Sequence, residues 1–215
     1  MIQRDLKSKN NVVGFTILEL LIVIVIIGIL ALVGAVGYRN VKGRAQAAVV
    51  HGIVQQYSTA LAAYKAEHGE YPDLSNLSSE TNTPIVCLGT GYDGVDCGSN
   101  FGPGKEYAAF NALMEPYTGK VPNISPHTTP YRFGSIDVTI TGVSLQLVRD
   151  GDTTLDGQPA NFYAFTYALD EQDAKCNGGQ VLGVGSIPGT NYTSNNAKNT
   201  MTDGKNTGCF VKLQD

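Results

Sequence analysis

Few residues in the 215-residue chain have the type and spacing that chemistry needs. Glu19 is the single charge in Phe15–Tyr38, where nineteen of twenty-four residues are apolar. Four cysteines, Cys87, Cys97, Cys176 and Cys209, all follow that block, and the three histidines are scattered through the chain. A zinc site is disfavoured, because there is no Cys-x-x-Cys pair and no histidine spaced to join one. No Ser-His-Asp arrangement is recognisable, and no glycine-rich phosphate loop precedes a helix. Asp150, Asp152 and Asp156 offer oxygens to a cation, but glycine is missing from the EF-hand position, so they read as a solvated turn. Asn76, Asn123 and Asn191 lie in Asn-x-Ser/Thr sequons, which arise by chance in Asn/Thr-rich chains. No catalytic residue, metal or cofactor is expected, and the chain reads as a non-enzyme.

Glu19 and the cysteines must be positioned by very different elements. Leu20–Gly37 is an uninterrupted run of eighteen residues without a polar side chain. A helix rising about 1.5 Å per residue crosses a ~30 Å hydrocarbon core in about 20 residues, so this segment predicts a membrane-spanning helix. A cleaved secretory signal is the weaker reading, because its apolar region is usually about 7–15 residues. Basic residues flank the run equally, with Arg4, Lys7 and Lys9 before it and Arg39, Lys42 and Arg44 after it. Charge bias therefore does not set orientation. The cysteines do, since disulfides belong outside the cytoplasm, which places the head on that side. An acid inside a membrane helix is costly, so Glu19 is either functional and paired or near enough to the interface to snorkel.

The run Gly14-Phe15-Thr16-Ile17-Leu18-Glu19-Leu20-Leu21 resembles the class III signal of bacterial type IV pilins and pseudopilins. The match covers the leader and roughly the first fifty-five residues. It departs only in Ile17-Leu18, where Leu-Ile is commoner. The resemblance implies cleavage after Gly14 by a membrane prepilin peptidase, leaving Phe15 as an N-methylated mature terminus. The domains implied are a leader 1–14, a transmembrane and assembly helix half 15–38, and a head 39–215. In the family, Glu19 pairs with the Phe15 amine of an adjacent subunit during fibre assembly. The same four-residue spacing puts the acid on the face of its own Phe15. The partners implied are further copies of the chain in a helical fibre, the peptidase, an assembly ATPase and an inner-membrane platform protein. The precursor would sit in the inner membrane and the assembled subunit in an extracellular fibre serving adhesion, motility or DNA uptake.

Beyond the block, Val41, Ala45, Ala48, Val49, Gly52, Ile53, Tyr57, Ala60, Leu61 and Tyr64 recur at three- and four-residue steps. That predicts an amphipathic continuation over 39–68, ended by Gly69 and Pro72. One helix over this length would be roughly 80 Å long. Gly28, Gly34 and Gly37 weaken its first half; they suit close helix packing, and Gly34 and Gly37 suit local unwinding in a fibre. The proline that many pilins carry near Val36 is absent.

A short helix is expected at Tyr107–Tyr117, and strands over Tyr131–Val148 with a break at Gly142, Phe162–Leu169, Val181–Val184 and Cys209–Leu213. A helix followed by an antiparallel meander is α+β, and the amphipathic helix half would lie across the sheet. Four cysteines allow three connectivities. Cys87–Cys97 would bracket a glycine-rich loop and Cys176–Cys209 the Asn/Thr/Gly-rich stretch 186–208, which also resembles the C-terminal disulfide-bounded region of many pilins. Loop closure would be worth about 2.8 and about 3.8 kcal/mol respectively.

The net charge of −4 becomes −6 when the leader, with three bases and one acid, is removed, so no specific nucleic-acid binding is expected. Lys198, Lys205 and Lys212 are the candidates for a local basic patch. The nearest alternative is a pseudopilin of a type II secretion system, which shares the N-terminal signal. A more distant one is a single-pass membrane protein with an extracytoplasmic binding domain. Mass spectrometry of the native N-terminus separates that last reading from the others. A methylated Phe15 is the expected species, and intact Met1 would point to the single-pass protein.

Overall fold

The computed structural model describes residues 15–77, 84–92, 97, 107–124, 128–133, 136–149, 154–171, 173–184, 191–194, 201–202 and 206–214. Within these, the side chains at 33–40 and at several strand positions are not described. The leader and Gly14 lie outside the described residues, as do Asp150, Asp152, Lys198 and Lys205. The chain divides into two compact units, Met1–Val41 and Lys42–Asp215.

Helix α1 (Ile17–His68) begins in the first unit and ends in the second. It stops where glycine permits: Gly69 has φ +85° and its N–H bonds the Lys65 carbonyl at 2.8 Å. In the second unit its buried stripe is Gly43, Ala47, Val50, Val54, Tyr57 and Leu61, a strict four-and-three alternation. This corrects the periodicity inferred above. Val41, Ala45, Ala48, Val49 and Gly52 are exposed, while Ile53, Tyr57, Ala60 and Leu61 are buried as expected. Gly43 is on the inner face because a Cβ there would come within 2.6 Å of the Asp170 carbonyl oxygen. One turn on, the Gln46 carboxamide donates to Ala168 O and accepts from Asp170 N–H, both at 3.3 Å. It thereby continues the hydrogen bonding of a strand end.

The remaining elements in chain order are β1 (Ile85–Cys87), α2 (Ala108–Thr118), β2 (Thr128–Phe133), β3 (Ile136–Thr141) and β4 (Val143–Val148). There follow β5 (Thr154–Leu155), β6 (Gln158–Pro159), β7 (Phe162–Leu169), β8 (Gln180–Val181) and β9 (Gly183–Val184). The last are β10 (Asn191–Thr193), β11 (Met201–Thr202) and β12 (Thr207–Lys212). The main sheet runs β1-β4-β7-β12-β11, with β8 also on β12, and every pairing in it is antiparallel. It is not a simple meander. The β2–β3 hairpin pairs with itself as a separate sheet, and β5–β6 belongs to a third sheet with β10 and β9. Gly142 makes the break between β3 and β4. Its φ is +64°, and a Cβ would meet the Tyr92 hydroxyl at 2.7 Å.

Alternation along β7 divides its side chains between two apolar layers. Phe165, Tyr167 and Leu169 join the α1 stripe, Val143, Leu145, Cys209 and Val211 in the main core. Phe162, Ala164 and Ala168 face a smaller core with Ile140, Val148, Leu182 and Phe210. Two disulfides close the loops around this sheet, Cys87–Cys97 at the end of β1 and Cys176–Cys209 between β12 and the segment preceding β8. A polar chain ties α2 to α1. Tyr57 O–H donates to Asn111 Oδ1 at 3.4 Å, Asn111 Nδ2 donates to Gly89 O at 2.9 Å, and Tyr57 stacks on Phe110. Burial pushes the Tyr57 phenol up to about 12, so it remains a neutral donor.

His51 lies beside this core, edge-on to Tyr167 with ring centroids 6.2 Å apart. Its Nε2 is buried and finds no hydrogen-bond partner among the described residues. Burial lowers its pKa below the ordinary histidine value, against the opposing pull of a Lys175 backbone hydrogen bond and the Glu171 carboxylate. The unfolded chain therefore takes up a proton at a higher pH than the folded one does. Stability is fully present above about pH 6.5 and falls as pH drops through the interval down to the folded-state pKa. Urea midpoints should decline from about pH 7.5 to about pH 5, and His51→Phe should flatten that decline. An unchanged slope in the variant would refute the assignment.

Candidate functional site

The N-terminal half of α1 is the one described surface whose character demands a partner. Phe15, Ile17, Leu18 and the aliphatics from Leu20 to Ile27, then Ile29, Leu30 and Leu32, are all exposed. Ile17 is 86% exposed and the least exposed of them, Val23, still 46%. A continuous apolar surface of this kind marks a packing or membrane interface. Among the described residues no helix is long and apolar enough to cross a membrane.

Glu19 is already engaged within its own turn. Its Oε2 accepts from Thr16 N–H at 2.9 Å and from Thr16 Oγ1–H at 2.8 Å. Thr16 Oγ1 in turn accepts from Glu19 N–H at 3.2 Å, and Thr16 O takes the first helical bond from Leu20 N–H. This is a reciprocal capping box, with Thr16 as N-cap and Glu19 at the third helical position. Two otherwise orphaned donors of the helix start are satisfied, and the carboxylate sits at the positive end of the helix dipole. Sequence reasoning missed Thr16, although Thr-x-x-Glu ahead of an apolar run is the recognised signature.

The other expected site residues fall in different places. Phe15 is 83% exposed beside the capping box. Gly28 faces open space, with nothing within 4 Å of a Cβ built there. The backbone is helical through Gly34 and Gly37, whose surroundings lie outside the described residues. The four cysteines belong to the head and not to this surface. Asp156 accepts from the Ser194 N–H at 2.8 Å and from its hydroxyl, which lowers its pKa and commits the carboxylate to a residue 38 positions away. No group of three or more metal-binding side chains occurs among the described residues.

The second unit has bare apolar residues of its own on α1. Val49 is 55% exposed, and Ala45, Ala48 and Gly52 are exposed as well. From residue 42 onward α1 thus carries two apolar stripes, one consumed by the head and one left bare.

A long N-terminal helix, an antiparallel sheet and two disulfides make an α+β architecture consistent with a pilin fold. The sequence agrees over its N-terminal region, which is similar to type IV pilins. A type IV major pilin protein, PilE1, of Neisseria gonorrhoeae is 37% identical over 71 residues, covering 33% of this chain and 42% of that protein. A fimbrial protein of Neisseria meningitidis serogroup B is 41% identical over 59 residues, covering 27% of this chain and 35% of that protein. The chain therefore matches well under two thirds of the length of these relatives. No protein-family model matches the chain, and no solved structure does.

Thr16→Val deletes the cap oxygen and leaves the Glu19 N–H without its acceptor. A loss of about 1 kcal/mol in the first turn is expected. Amide exchange at Leu18–Leu20 in micelles should accelerate about fivefold, and Thr16→Ser should restore it. Unchanged exchange in Thr16→Val would show that the box does not hold the turn.

Proposed function

We propose that this chain is the precursor of a type IV pilus subunit, a structural protein that polymerises through its N-terminal helix. The observation that carries the reading is the apolar surface of α1, bare from Phe15 to Leu32; in the second unit Ala45, Ala48, Val49 and Gly52 of the same helix are exposed too. Burying such a surface is worth about 25 cal/mol per Å² of apolar area, and nothing in the same chain covers it among the described residues. Lipid covers it before assembly, and the helices of neighbouring copies cover it afterwards. The inner membrane holds the precursor with the head outside the cytoplasm, and the assembled fibre is extracellular.

Cleavage after Gly14 by the prepilin peptidase creates a cationic amine at Phe15. In the apolar centre of a fibre an isolated carboxylate would be strongly disfavoured, so Glu19 takes the Phe15 amine of an adjacent subunit and thereby fixes register. The capping box supplies the partner that the acid needs until then. Gly28, Gly34 and Gly37 let neighbouring helices approach closely. The assembly ATPase and platform protein drive insertion, and the finished fibre serves adhesion, motility or DNA uptake.

The test is electron microscopy of sheared surface fibres, with peptide identification, in cells carrying the pilus machinery. The wild-type chain should be the main fibre component. Glu19→Ala and Val49→Glu should each lower fibre yield about tenfold or more while the precursor accumulates in the membrane. Normal fibres from Glu19→Ala would refute the pairing. Absence of wild-type surface fibres, with the chain held in a secretion complex, would favour the pseudopilin.

A further inference from the structure

A groove lies in the head where one flank of α1 meets the bend before β8 and the end of β12. It has a volume of about 360 Å³, within the ~300–1,000 Å³ of small-molecule sites. All its lining residues belong to Lys42–Asp215, so it is independent of the apolar helix half and of the assembly reading.

The floor is backbone, and it must be. A Cβ on Gly178, where φ is +104°, would approach Val54 Cγ1 to 2.3 Å. One on Gly179 would approach the Lys212 carbonyl oxygen to 2.1 Å. Two bare residues therefore leave peptide groups along the bottom of the groove. The rest of the lining is a stripe of α1, Gln55, Ser58 and Ala62, together with Tyr71, Leu213 and Gln214. Tyr71 is held in place, since its O–H donates to the Gln214 carbonyl at 2.7 Å and the Lys65 ammonium lies 4.7 Å over its ring. Ser58 Oγ makes only a long contact, 3.5 Å, with the Gly178 carbonyl.

The chemistry of the lining selects its ligand. None of the described lining residues is charged, and the Lys65 ammonium beside them is stacked over the Tyr71 ring, so the lining itself offers a phosphate or carboxylate no cation. A wholly apolar body would strip water from two carboxamides, two hydroxyls and exposed peptide groups without replacing their hydrogen bonds. Hydroxyl groups that both donate and accept satisfy carboxamides, hydroxyls and peptides alike. The C–H faces of a sugar ring suit Ala62 and Leu213. From this we infer that the groove binds an uncharged saccharide, with room for a disaccharide.

The test uses the full chain in a detergent without a sugar headgroup, titrated separately with lactose, maltose and N,N′-diacetylchitobiose. The readout is the NMR shift of the Gly178 and Gly179 amides and the Gln55 side-chain amide. At least one sugar should produce saturable shifts with a millimolar Kd, while inorganic phosphate and N-acetylneuraminic acid should not. Ala62→Trp, which fills the groove from its exposed flank, should weaken binding about tenfold or more, and Gln55→Leu about five- to tenfold. Melting temperatures should remain at the wild-type value; if Ala62→Trp lowers its own, Gln55→Leu decides. No saturable shift with any of the three sugars up to about 100 mM overturns the proposal, as does unchanged affinity in Gln55→Leu. Phosphate or the acidic sugar binding at the same amides overturns it equally.

Discussion

The inner stripe of α1 is pressed onto the main sheet with almost no tolerance, and the head is organised around that contact. Val54, Tyr57, Ala60 and Leu61 are fully buried, as are Val143, Leu145, Phe165 and Tyr167 of the facing strands. Fully burying a side chain of that size stabilises by about 1.5–3 kcal/mol, so a few such residues equal the net stability of a domain. The approach is close enough that Gly43 and Gly178 must lack side chains, one against the Asp170 carbonyl and the other against Val54. Gln46 then adds hydrogen bonds at the end of β7, where apolar packing cannot reach the backbone. The disulfide Cys176–Cys209 holds the Gly178 segment to β12, and so keeps it beneath the helix.

Much of this was legible in the sequence, for identifiable reasons. Gly69 and Pro72 mark the helix end because a left-handed residue and a missing N–H both stop a helix. The strand at Phe162–Leu169 was legible from its residues, and its period of two sends Phe165, Tyr167 and Leu169 into one core and Phe162, Ala164 and Ala168 into the other. The short helix after Tyr107 and the break at Gly142 also fell where the residues indicated.

What failed was the orientation of α1 before Gly52. Val41, Ala45, Ala48 and Val49 recur at helical spacing as faithfully as Ala47, Val50 and Val54 do, and periodicity does not say which stripe the head takes. Gly43 and Gln46 decide it through contacts with Asp170 and Ala168, which are more than a hundred residues away in sequence. The sheet order was hidden for a similar reason. Strands β5, β6, β8, β9 and β11 are two residues long, too short for a local pattern, and their places depend on distant pairing. Thr16 is the opposite case: its signal is local and strong, a hydroxyl three residues ahead of the acid at the helix start.

The double stripe on α1 has a consequence for how this sequence is free to drift. A helix apolar on two sides leaves few positions where a new side chain meets only water. The turns of the head, between short strands and pinned by two covalent links, can be rewritten at little cost to either stripe. Recognisable kinship is then expected to survive in the helix and fade in the head. The matched relatives fit that division, since their similarity is confined to the N-terminal region and covers only 27–33% of this chain.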